Sequence, residues 1–187
     1  MYKFSIAVGL LAGCVGGDFG SVEQKIDADA CPAGVPAALA PAADQDLAFA
    51  LDAVGTQNYH CSDLGTWIFD APAADLFQID HDDHVTGTHY IGPTWEWIDG
   101  STFVGAKVAG VTVDTTAIPW LLLKLKSHND VVGKMTDVTS VQRLSTTAGL
   151  ALGACTAPAT TEVPYTARYF FYETKADNST NTRCGAL

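Results

Sequence analysis

From residue 47 onward no stretch longer than about ten residues holds a capped helical period; short apolar runs alternate instead with Gly, Asn, Asp and Pro. This punctuation constrains the fold most, because a helix needs a sustained 3.6-residue repeat, whereas a strand needs only period-two alternation between turn residues. In the run 120–126, Leu121, Leu123 and Leu125 share one face, and Lys124 and Lys126 share the other. Nine runs are predicted as strands: 47–54, 56–61, 66–69, 85–91, 94–98, 102–113, 120–126, 136–144 and 165–173. Between the fifth and sixth of them, Asp99 and Gly100 mark a tight hairpin. Composition points the same way, with 17 Asp and 20 Thr against 4 Glu and 7 Lys, a balance that favours turns and strands over helix interiors. The 187 residues suit one domain with an ample core. The expectation is an all-β fold, a single antiparallel sandwich or barrel of about nine short strands.

The N-terminal segment reads differently. Residues 1–13, MYKFSIAVGLLAG, combine one positive charge with an apolar run about half the length needed to cross a bilayer, as a signal peptide does. Leu11, Ala12, Gly13 and Cys14 resemble the lipobox of bacterial lipoproteins, in which the cysteine thiol is acylated and becomes the new N-terminus. By the same resemblance, the absence of Asp after Cys14 points to the outer membrane or cell surface. Several acyl chains on one cysteine anchor a protein stably, so a membrane is an expected partner through the anchor only. Residues 14–46, rich in Pro, Ala and Gly, read as an extended tether. The β domain is placed at 47–175 and a C-terminal tail, pinned by a disulfide, at 176–187.

The chain has five cysteines, an odd number. With Cys14 given to lipid, four remain for two bridges in an oxidising compartment. Three connectivities are possible, and the expected one joins Cys61 to Cys155 within the domain and Cys31 to Cys184 across its ends. No two cysteines stand close enough for a CxxC zinc site.

A formal net charge of -11, with only three arginines, argues against nucleic acid as a partner. Asp80, His81, Asp82 and His84 form the densest group of potential metal ligands, but they lack the Gly and Glu positions of a calcium loop and read better as a solvated turn. His89 shares a strand face with Val85, Gly87 and Ile91, so it is either a hydrogen-bonded core histidine or a functional group in a barrel mouth with Glu96, Asp99 and Arg143. Alternation puts Trp95 and Trp97 opposite Glu96, and core tryptophans are the expected outcome. Tyr90 and Trp95, with Tyr59, Trp67, Trp97, Trp120 and Tyr172, are candidates for stacking on a sugar or flat small molecule, or equally for the core. No cofactor motif is present: there is no GxGxxG after a strand, no GxSxG elbow and no βαβ alternation.

Five ordered blocks carry a resemblance: GTQNYHC at 55–61, GTHYIGPTWEWIDGS at 87–101, AIPWLLLKLKSH at 117–128, VTSVQRLSTTAG at 138–149 and VPYTARYFFY at 163–172. Over roughly 35–172 the chain resembles an exported bacterial and fungal family catalogued as a domain of unknown function. The resemblance implies secretion and one globular domain, and carries no activity. The lipobox, Cys31 and Cys184 lie outside the blocks. The functional expectation is a lipid-anchored cell-envelope module that binds a small molecule or glycan, or is structural. The alternative is an extracellular enzyme using His89, Glu96 and Arg143.

Overall fold

The computed structural model describes residues 31–79 and 81–176, apart from the side chains at 81–83. Its strands are β1 (Gln45–Cys61), β2 (Trp67–Gln78), β3 (His81–Tyr90), β4 (Thr94–Trp97), β5 (Thr102–Val111), β6 (Trp120–His128), β7 (Val138–Ala148) and β8 (Thr160–Thr174). Each pairs antiparallel with the next and β8 returns to β1, so the sheet closes into an up-and-down barrel. The expected signal peptide, Cys14, the tether as far as residue 30, Asp80, the side chains of His81 and Asp82, and residues 177–187 with Cys184 lie outside the described residues.

The expected all-β antiparallel barrel is found, and among the described residues it has eight strands, several of them long, where about nine short ones were expected. The runs 47–54 and 56–61 are one strand, because Gly55 serves close approach and not a turn. A Cβ there would overlap the Ala73 carbonyl oxygen and Ala74 on β2. The run beginning at residue 66 continues to Gln78 through Pro72, which pairs with Gln57 beside a register shift at Asn58/Tyr59. Such an irregularity lets a strand tolerate a missing N–H. Gly100, at φ +84, turns β4 into β5 as the Asp-Gly pair predicts.

Alternation divides the side chains between two cores. Inside the barrel, Leu51, Leu76, Trp95, Phe103, Val141 and Phe171 pack together, and Leu121 and Leu125 join them from the face of β6 predicted to be apolar. Outside it, Leu47, Leu122, Leu144, Phe170 and Tyr172 form a second cluster under the segment preceding β1. That segment departs from the expected tether, for a 3₁₀ turn at Ala37–Leu39 presses Leu39 into this cluster. The turn is too short to nucleate alone and is held by tertiary contact: Gln142 Nε2 donates to the Leu39 carbonyl at 2.6 Å and Gln142 Oε1 accepts from Tyr172 Oη at 2.6 Å.

One end of the barrel is sealed. Phe49 stacks on Phe171 with centroids 4.7 Å apart, Trp97 packs edge-on to Phe49, and Lys134 lies over the Phe49 ring. The β6–β7 loop carrying Lys134 and the fully buried Met135 is fastened by their backbone N–H groups, to Asp99 Oδ2 at 2.8 Å and Ser101 Oγ at 3.0 Å. At the other end, Cys61 is bridged to Cys155 as expected, 94 positions away in sequence. Cys31 is also disulfide-bonded, and its expected partner Cys184 is outside the described residues.

The outer wall away from the second cluster is mixed: Arg168 is bound through two N–H groups to Asp52, and Asp75, Lys124 and Lys126 are exposed among single apolar side chains such as Val54 and Val108. A lipid-facing barrel carries an apolar outward band in that place. Among the described residues, no helix is long and apolar enough to cross a membrane.

The close approach of β1 and β2 gives a test. Gly55→Ala is expected to destabilise the fold by about 3 kcal/mol, as overpacking against backbone does, while Val54→Ala, exposed next door, changes stability by less than about 0.5 kcal/mol. Urea unfolding of both variants measures the difference.

Candidate functional site

Eight strands enclose an interior just wide enough to be filled by side chains or to hold one small ligand. This barrel is filled along part of its length and open along the rest. Large side chains fill it toward the sealed end, and toward the other end β8 turns smaller and polar inside, with Tyr169, Ala167 and Tyr165 in succession. The result is a cavity of about 440 Å³ at the mouth, within the usual size of small-molecule sites. Its apolar wall comes from Leu121 and Leu123 of β6, Ile118 and Leu150; Trp95 and His89 line its inner part, and Tyr59 and Phe69 form an edge-on pair at its rim. Leu64, Ile91 and Leu152, on the surrounding turns and loops, are exposed.

His89 resolves in an unexpected way. It is 3% exposed, stacked on Trp95 with centroids 4.2 Å apart and edge-on to Tyr169. It is a hydrogen-bonded core residue, as the first expectation had it, and it also lines the cavity. Val85 and Ile91, predicted to share its face inward, are exposed. Register shifts in the β2–β3 pairing displace the first of them, and the second has left the strand for the β3–β4 turn. The Thr94 carbonyl can only accept, so His89 Nδ1, 2.8 Å away, carries the hydrogen and Nε2 keeps the lone pair. Burial pushes the imidazole pKa down to about 3, against the opposing effect of that hydrogen bond and with a smaller push from the Arg143 charge. The site therefore contains a neutral histidine.

Trp95 is 1% exposed, and its indole Nε1–H is buried without a hydrogen-bond partner; the buried Gln57 amide is turned toward the Tyr165 phenol. A donor like that of Trp95 costs about 1–3 kcal/mol if left unsatisfied. Arg143 enters from β7 and donates Nε and Nη2 to the Pro119 carbonyl at 3.1 and 2.8 Å. Burial raises the Tyr165 and Tyr169 phenols above their usual range even with this cation beside them, so both are neutral donors and acceptors, their oxygens 3.4 Å apart.

Of the residues singled out in the sequence, the structure brings His89, Trp95 and Arg143 to one cavity, and not Tyr90, Glu96 or Asp99. Glu96 lies on the outer face of β4, where it accepts a 2.7 Å hydrogen bond from Tyr90 Oη that raises the phenol pKa to about 12. Asp99 sits in the β4–β5 turn at the sealed end. Desolvation opposes its ionisation, but hydrogen bonds from Ser101 and the Lys134 N–H outweigh that and hold its pKa low. Its role is to fasten the plug. A constellation of His89, Glu96 and Arg143 does not converge, because pairing partners His89 and Trp95 point inward while Glu96, next to Trp95, must point outward. The proposed stacking aromatics divide similarly: Trp95 and Tyr172 are core, Trp97 packs against the plug, Trp120 borders the outer cluster, and Tyr59 reaches the cavity. Among the described residues no three His, Cys, Asp or Glu side chains form a metal-binding group, and His84 is exposed.

Sequence reading missed Gln57, Lys107, Tyr165 and Tyr169. For the tyrosines a signal existed: Tyr165, Ala167, Tyr169 and Phe171 alternate along one strand face.

The buried imidazole sets a pH response. The unfolded histidine titrates near 6.5 and the folded one near 3, so between these values the unfolded state binds more protons and stability falls as pH drops. Going from pH 7 to pH 4 is expected to cost about 3 kcal/mol through this residue alone. His89→Asn, which retains a donor for the Thr94 carbonyl, should flatten the pH dependence of urea unfolding by about that amount.

Neither a curated protein nor a solved structure matches the chain. One family model does match, over residues 41–173, and its members are described as proteins of unknown function, DUF3455. With most of the chain and every strand essentially inside that match, the chain belongs to the DUF3455 family.

Proposed function

We propose that this protein is a cell-envelope lipoprotein, anchored through Cys14, whose barrel binds one small, largely apolar molecule in the cavity at its mouth. The observation that carries the binding reading is the cavity itself: about 440 Å³ of space walled by leucine, isoleucine and aromatic side chains, next to a buried indole N–H without a partner. Folding leaves that donor unsatisfied, and a ligand acceptor would recover the loss. The anchor rests on the LAGC sequence at 11–14 after an apolar run. The charged outer wall is consistent with a domain held beside a membrane and not embedded in one.

Two measurements test the two parts. The neutral fluorophore N-phenyl-1-naphthylamine is expected to bind with one-to-one stoichiometry, and Leu121→Trp, which fills the cavity, to weaken it at least about ten-fold while the melting temperature stays within a few degrees. Unsaturable binding, or binding indifferent to the substitution, overturns the binding reading. For the anchor, cells expressing the full chain with labelled palmitate should label the wild type and not Cys14→Ser. Equal labelling excludes Cys14 as the acylation site, and no labelling of either excludes the anchor.

A further inference from the structure

Arg143 poses an electrostatic problem that the fold does not solve. The chain has 21 acidic residues against 10 basic ones, and Arg168, on the outer wall, is neutralised by Asp52. Arg143 is half-buried in the cavity and has no carboxylate partner among the described residues. Its fixed contact, the Pro119 carbonyl, orients the guanidinium without balancing its charge. The phenols nearest to it, Tyr165 and Tyr169, are kept neutral by burial and do not supply a counter-charge. The carboxylate on the cavity rim, Asp70, is engaged with His60.

The other polar groups have the same bias. Trp95 Nε1–H is a buried donor without an acceptor, Gln57 turns its donor toward the Tyr165 phenol, and Lys107 adds a second cation at the mouth. Tyr59 has already committed its hydroxyl hydrogen to the Gly149 carbonyl at 2.7 Å. On the acceptor side the inner cavity offers the lone pair of His89 Nε2. A space so lined is short of acceptors and of negative charge. Its walls are apolar, which excludes a small, fully hydrated polyanion, because nothing would replace most of the water such an ion loses.

We infer that the ligand is a small organic acid, a monoanion whose carboxylate is held by Arg143 while its flat apolar body lies between Trp95 and the Leu121–Leu123 wall. Beyond the two N–H groups given to Pro119 and the one shared with Tyr169, the guanidinium keeps N–H groups in the planar fork that suits a carboxylate. This deepens the reading of the barrel as a small-molecule binder and rests on it.

The test compares a naphthoate anion with its neutral amide, which share size and ring system, by isothermal titration calorimetry on the full chain. The acid is expected to bind at least about ten-fold more tightly than the amide, as a charge-assisted hydrogen bond implies, and to lose most of that advantage in Arg143→Met. Arg143→Lys, which keeps the charge, should retain part of it. The acid-to-amide ratio in the wild type decides first and needs no substitution, so misfolding of a variant does not affect it. Equal affinities overturn the organic-acid proposal and leave the binding reading standing. Binding of neither compound, together with failure of the neutral fluorophore, overturns both. An acid preference that survives in a folded Arg143→Met protein overturns the assignment to Arg143.

Discussion

The pairing of β1 with β8 is the interaction on which the rest of the molecule depends. The two strands run together from Gln45↔Thr174 to His60↔Thr160, and this ladder turns a meander with two free edges into a closed wall. It also joins the two ends of the domain sequence, so its hydrogen bonds come only after the largest loop in the fold has closed. Closure lets period-two alternation define an interior at all, since each inward side chain then faces others across a shared space. Arg168 and Asp52 clamp this seam from outside, and Phe49 and Phe171 stack across it from within.

The interior is graded along the barrel axis. At the sealed end aromatic rings meet at normal packing distances, and the plug loop is tied down by Asp99 and Ser101. Toward the mouth the same strand faces carry Gln57, His89, Arg143 and two tyrosines, groups that cannot fill space without leaving polar atoms to be satisfied. The gradient separates a packed half from an open one: apolar packing holds the barrel together at one end, and the polar lining borders a cavity at the other.

Much of the fold is legible in the sequence because strand alternation is a local property. The face of β6 defined by Leu121, Leu123 and Leu125 and the hairpin at Asp99-Gly100 can be read from residue types and spacing, whereas the bridge from Cys61 to Cys155 is one of several pairings that the four cysteines allow. Gly55 and Pro72 mislead because each punctuates a chain by default, and only the neighbouring strand reveals that one makes room for a close backbone and the other sits beside an irregular register. The site is legible only in part. His89 and Trp95 are direct cross-strand partners on adjacent strands, so local reasoning reaches them, and Arg143 stands out as one of only three arginines. Glu96 and Asp99 are neighbours in sequence and diverge by the pleat and the turn. Gln57 and Tyr169 come from strands that approach β3 and β4 across the barrel only after closure, which no local pattern encodes.

The rim of the mouth is cross-braced. The disulfide ties the β7–β8 loop to the end of β1, the Cys155 N–H donates to the Gly65 carbonyl in the β1–β2 turn, and Tyr59 holds Gly149. Thr146 and Arg143 hold the carbonyls of Ile118 and Pro119, which fixes the approach to β6. A rim of this kind is a socket and not a lid. For the proposed guest this means that the entropic cost of binding would fall mainly on the guest, since little of the protein would have to order. The counterpart would be poor tolerance: a guest one ring too large would meet braces instead of a loop that can give way, and shape would be sorted before any charge is compared.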